Sequence, residues 1–142
     1  MPEFLRTTGR LLLGVALAGA GIAHLTTARR EFQAQVPSWL PLDPDLVVLA
    51  SGVVEIMLGV SVLLAPRRLR PAVGWVVAAF FVAVFPGNIA QFVDRVDGFG
   101  LTTDLARGIR LVFQPLLVVW ALWATGAWRQ WRARRRHPTR LS

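Results

Sequence analysis

The chain contains no cysteine and no lysine. Without cysteine there is no thiol–disulfide active site, no thiolate metal site and no covalent haem attachment, so any redox chemistry must be borrowed from outside the chain. Without lysine, all 16 basic side chains are arginines, against 8 acidic ones, for a formal net charge of +8. Charge is scarce overall, at 17% of residues, whereas 54% are hydrophobic. With a mean hydropathy of +0.50, this composition belongs to a chain whose solvent is lipid. A basic balance of this size can signal nucleic acid, but arginines beside apolar segments set membrane orientation or touch anionic lipid, and no nucleic-acid partner is expected. The length of 142 residues corresponds to one domain.

Four stretches reach the roughly 20 mostly apolar residues that a helix needs to cross a hydrocarbon core of about 30 Å. They run approximately from Arg10 to Thr26, Leu46 to Ala65, Pro71 to Phe92 and Leu105 to Trp128. Each is bounded by charge, proline or glycine. The expected fold is all-α, a four-helix transmembrane bundle over residues 1–128 followed by a basic tail over 129–142. The first stretch also has the layout of a secretory signal, with Arg6 and Arg10 ahead of the apolar core and Thr26-Thr27-Ala28 as a cleavage-like end. Its Gly14, Ala16, Ala18, Gly19, Ala20 and Gly21 suit close helix contact, which favours a retained span.

Arginine is distributed unevenly. One side collects Arg6, Arg10, Arg67, Arg68, Arg70, Arg129, Arg132, Arg134, Arg135, Arg136 and Arg140, with Glu3 as the only acid. The other carries Arg29, Arg30, Arg95 and Arg107 against Glu31, Asp43, Asp45, Asp94, Asp97 and Asp104. By the positive-inside rule both termini are cytoplasmic. Between the first two spans, Phe32 and the run Val36-Pro37-Ser38-Trp39-Leu40-Pro41-Leu42 make no plain polar loop; the segment suits the membrane interface or a lid over the bundle. Trp128 and Trp131 among the tail arginines read as an aromatic belt on a lipid-binding tail.

Polar residues inside spans are costly, and each is a site candidate. They are His24 in the first span, Glu55 in the second, Asn88 and Gln91 in the third, and Arg110 and Gln114 in the fourth. At about 1.5 Å per residue, Glu55 lies about 13 Å deep, Arg110 about 7 Å and Asn88 about 6 Å, all in the outer half, with His24 close to the surface. Helical spacing puts Arg107, Arg110 and Gln114 on one face, although Arg107 can snorkel outward. The same spacing aligns Gly52, Glu55 and Gly59, where a helix or a flat ligand can approach the carboxylate. Pro86-Gly87-Asn88 and Pro115 free backbone groups beside these side chains. We expect Glu55 to pair with Arg110, with Asn88, Gln114 and His24 completing the cluster. Either a ligand or redox site or a fold-specifying network accounts for such a set. One buried-span histidine is too few for a metal site or a bis-histidine haem. No Ser-His-Asp, phosphate-loop or paired-carboxylate hydrolase pattern occurs.

The segments Ala20-Gly21-Ile22-Ala23-His24-Leu25, Val36-Pro37, Trp39-Leu40-Pro41, Ser51-Gly52-Val53-Val54-Glu55-Ile56-Met57-Leu58-Gly59 and Val84-Phe85-Pro86-Gly87-Asn88, in this order, resemble the DoxX-like family of small bacterial membrane proteins. The similarity spans roughly residues 10 to 95. It implies a four-helix membrane fold with His24, Glu55 and Asn88 at recurring polar positions. It points to a subunit of a redox complex that binds quinone, or to a non-enzymatic membrane chaperone or assembly factor docking clients through Asp43, Asp45, Asp94 or Asp97. On the redox reading His24, Glu55, Asn88, Arg110 and Gln114 form the ligand site. His24 and Asn88 donate to a quinone carbonyl, Glu55 handles a proton, and a partner protein supplies electrons. Membrane lipid is the other expected partner, and self-association is compatible with the sequence.

Overall fold

A computed structural model describes residues 2–34, 36–94 and 103–137. Regular structure among them is entirely helical: α1 Glu3–Leu25, α2 Arg29–Gln33, α3 Pro44–Leu64, α4 Arg70–Val93, α5 Asp104–Ala124 and α6 Ala127–Arg136. Four of these, α1, α3, α4 and α5, are long and apolar enough to cross a membrane. They carry large apolar side chains facing outward, such as Leu12, Val15, Val53, Met57, Val82, Val112 and Val119. In water such a surface would drive aggregation; around a membrane bundle it is the lipid contact. Arg95, Asp97 and Arg140, used in the charge asymmetry, lie outside the described residues.

Helix ends follow local chemistry. Asp43 caps α3 by accepting the Asp45 backbone N–H, and Pro44 begins the first turn. Thr103 caps α5 through the Ala106 N–H. These caps satisfy backbone donors that a helix start leaves unpaired. The fourth span ends at Ala124, earlier than the expected Trp128, because Gly126 takes a left-handed conformation (φ 76°) and turns the chain into α6. The basic tail is thus a helix of its own from Ala127, in which Trp128 and Trp131 lie with ring centroids 5.4 Å apart and the Arg135 guanidinium sits over Trp131.

The first span begins at Glu3, seven residues before the expected start. Arg10 is therefore no flanking charge. It is buried (6% exposed) and donates to the Val62 and Leu63 carbonyls at 2.7 and 3.1 Å. Arg70 adds a bond to the Ala65 carbonyl. Two cations so cover the unpaired, partly negative C-terminal end of α3.

Packing is unequal. α1 lies along α3 and α4 along α5, while contact between the two pairs is sparse. The first pair is drawn together by glycine. A methyl group built at Gly59 would sit 2.6 Å from the Ala18 nitrogen and 2.7 Å from the Gly14 carbonyl, and one at Gly21 would sit 2.6 Å from the Gly52 carbonyl. These neighbours are backbone and cannot step aside, so only glycine permits the approach. Between the pairs, Leu13, Leu17, Leu58, Val62, Val77, Phe81 and Ala121 fill the half nearer the termini, and Trp120 Nε1 donates to the Gly9 carbonyl at 3.0 Å. The other half is left open. Replacing Gly59 by alanine should lower stability by about 1–3 kcal/mol, as overpacking against fixed backbone does. Gly19→Ala, whose side chain would meet nothing within 4 Å, should be neutral; thermal unfolding of both in detergent checks the contrast.

Candidate functional site

In that open half the two helix pairs enclose a cavity of about 510 Å³. His24, Glu55, Asn88, Arg110 and Gln114, contributed by all four spanning helices, line it together. The rest of the wall is apolar, including Leu13, Leu17, Val48, Phe80, Phe81 and Leu117. The segment after α1 acts as a lid: Phe32 from α2, then Val36, Pro37, Trp39 and Leu40, border the cavity. The lid is anchored where Arg29 clasps the Asp45 carboxylate and Gln33 Nε2 donates to it at 3.0 Å. Hydrogen bonding to Asp45 holds the Arg29 guanidinium charged even more firmly than usual.

The polar residues form two groups rather than one. The first is His24 with Glu55, brought together because glycine lets α1 press onto α3 next to Gly52. His24 is buried (8% exposed), and Phe32 stacks on its ring with centroids 3.3 Å apart. Its Nδ1 lies 2.8 Å from the Ala20 carbonyl and 2.8 Å from Glu55 Oε2. A carbonyl can only accept, so the first contact requires the Nδ1–H tautomer with its single hydrogen committed to Ala20. Glu55 Oε2 is buried beside the ring without a directed hydrogen bond.

The second group is built on an amide. Pro86 has no N–H, so the Val82 carbonyl four residues before it lacks its helical donor. One residue earlier, the Phe81 carbonyl accepts from Gln114 Nε2 at 2.7 Å. That bond fixes the Gln114 amide, so its Oε1 must face the other way, where it accepts from Asn88 Nδ2 and Arg110 Nη1, each at 3.3 Å. Asn88 is in turn fixed with its nitrogen toward Gln114, and its Oδ1 is buried without a partner.

The expected contact pair of Glu55 and Arg110 is not formed. His24 occupies the near side of the carboxylate, and the Arg110 guanidinium is turned to Gln114, feeling the Glu55 charge only at longer range. Arg107 does not snorkel outward either: it is 5% exposed and donates to Asp104 Oδ1 at 3.0 Å in the first turn of α5. Gln91 is buried one turn beyond Asn88 but is not part of the cavity wall. Arg10 and Trp120 were not recognised as interior polar anchors from sequence. For Arg10 the signal was present in the row Arg10, Gly14, Leu17, Gly21 and His24, spaced four and three, which is one face of a helix. Among the described residues no three His, Asp or Glu side chains gather closely enough to hold a metal ion.

Fold and cavity together define a four-span helical membrane protein with a lidded, polar-ended pocket between two helix pairs. The chain belongs to a family described as a domain of unknown function, DUF8561, whose model matches residues 13–125. No curated protein and no solved structure matches it.

Because the Gln114 amide holds Phe81, Asn88 and Arg110 at once, Gln114→Leu should cost about 1–3 kcal/mol by leaving buried polar groups unpaired. Its unfolding midpoint in detergent should fall clearly below that of Ser51→Ala, a cavity-wall change for which no hydrogen bond is lost.

Proposed function

We propose that this chain is a DoxX-like protein of the bacterial inner membrane, with cytoplasmic termini, whose cavity binds a lipid-soluble small molecule with a polar head, a quinone, as a subunit of a redox complex. One observation carries the reading: a largely apolar cavity of ligand size ends in a charged and amide cluster drawn from all four spans. An apolar wall suits a substituted ring and the start of its tail, and the cluster suits ring oxygens.

Conversion of quinone to hydroquinone adds two electrons and two protons, the electrons coming from a partner protein that carries a redox centre. The two protons come from the aqueous phase, and the chain's own residues relay them and hold the ring oxygens. Arg110, with one nitrogen on Gln114, has donors left for a ring oxygen and for negative charge developing on it. Glu55 is the proton-handling group, packed against the His24 ring. Asn88 gives one of its two N–H groups to Gln114, and its Oδ1 adds an acceptor to the carbonyl donor expected from sequence. A client-docking chaperone is less well supported, since Asp43 caps α3 and Asp45 is clasped by Arg29.

Purified protein in lipid nanodiscs should bind an alkylated benzoquinone saturably, in at least one of its redox forms, and Arg110→Ala should weaken that binding about tenfold or more. Absence of saturable binding of both forms would overturn the reading. Orientation has its own check, simplified by the lack of native cysteine. In intact cells stripped of outer membrane, a membrane-impermeant maleimide should label Ser38→Cys and spare Arg68→Cys until the membrane is opened; the reverse pattern would invert the topology.

A further inference from the structure

The quinone reading leaves open which redox form the cavity is shaped to hold, and the hydrogen-bond inventory of the cluster answers it. Three acceptor atoms are unfilled. Asn88 Oδ1 is buried with no donor. Its orientation is not arbitrary, because the chain of amides from the Phe81 carbonyl through Gln114 dictates it. Glu55 Oε2 is equally buried without a directed bond, since the one hydrogen on His24 Nδ1 goes to Ala20. Glu55 Oε1 accepts no hydrogen bond from any described residue. On the donor side stand the Arg110 nitrogens not engaged by Gln114 and the second N–H of the Asn88 amide, with the Ser51 hydroxyl on the wall.

A buried acceptor without a donor costs about 1–3 kcal/mol, so a ligand that brings hydrogens recovers what the empty cluster forgoes. A quinone carbonyl can only accept: it can take a bond from Arg110 and leaves the Asn88 and Glu55 oxygens unfilled. A phenolic hydroxyl both donates and accepts, and so can bond Glu55 or Asn88 while receiving from Arg110. We infer that the cavity selects the reduced, hydroquinone form of its ligand, with Glu55 and Asn88 accepting from ring hydroxyls. This rests on the proposed quinone reading and adds to it the redox form that is held: bound hydroquinone is the state the protein stabilises.

The test compares the two forms of one molecule on the intact chain in nanodiscs, using a short-chain alkylated benzoquinone and its chemically reduced hydroquinone kept free of oxygen. The hydroquinone should bind about tenfold tighter or more. Equal binding, or tighter binding of the quinone, overturns the inference and leaves the quinone reading standing. Saturable binding of neither overturns both. Glu55→Gln adds a donor where there was only an acceptor, and should shrink the preference to within about threefold by favouring the carbonyl form. A folded Glu55→Gln protein that keeps the full preference would remove Glu55 from its assigned role. The wild-type comparison decides the main question whether or not the variant folds.

Discussion

The closeness of α1 to α3 governs the rest of the bundle. Glycine on both sides lets backbone meet backbone, with Leu63 and Ile56 closing in over Gly14 and Gly21. The α4 and α5 pair packs with larger side chains, and the two pairs then meet over Leu13, Leu58, Val77 and Phe81 only toward the end that carries the termini. A cavity at the opposite end follows from this arrangement. Its polar lining follows too, since the same glycine contact that tightens α1 on α3 sets His24 against Glu55.

The Gln114 amide supplies the second constraint. The Phe81 carbonyl has two lone pairs and accepts from this side chain of α5. That bond determines the direction of the Gln114 amide, which determines the direction of the next, and the outcome is an acceptor with nothing to accept. A single carbonyl on α4 thereby sets chemical polarity on the cavity wall, through two residues, Gln114 and Asn88, that carry no charge.

Much of this was legible in the sequence, because length and apolarity define spans and the rise per residue ranks the polar side chains by depth. Those rules brought His24, Glu55, Asn88, Arg110 and Gln114 to one region, and the helical row Gly52, Glu55 and Gly59 anticipated the close approach on α3. What the sequence withheld is pairwise geometry. Opposite charge and similar depth favoured Glu55 with Arg110, but which partner a carboxylate meets depends on the rotation of each helix about its axis, and glycine contacts set that rotation. Arg10 was misassigned for a related reason: counted as a flank, it was read by its charge, whereas a start at Glu3 puts it about two turns inside α1 and on the buried face. The end of the fourth span was placed too late because apolar residues continue past Thr125, while the turn is made by one left-handed glycine.

Buried polar groups in this chain fall into two populations, and the difference between them bears on whether the cluster serves the fold alone. Arg10, Trp120 and Thr125 each bond to a backbone carbonyl. They tie helices or finish a turn, and they ask for nothing more. Gln114 belongs with them. Glu55 and Asn88 do not: both sit on the cavity wall, and neither has its oxygens filled by the protein. A network retained only to specify the fold is most stable when every member is satisfied, because a half-satisfied one costs more than an apolar core. Among the described residues the shortfall is not confined to the cavity, since Arg6 Nε and Gln91 Nε2 are also buried without a hydrogen bond, but the two unfilled acceptors, Glu55 Oε2 and Asn88 Oδ1, both border it. Acceptors left open on a cavity wall are what a ligand that brings hydrogens would complete.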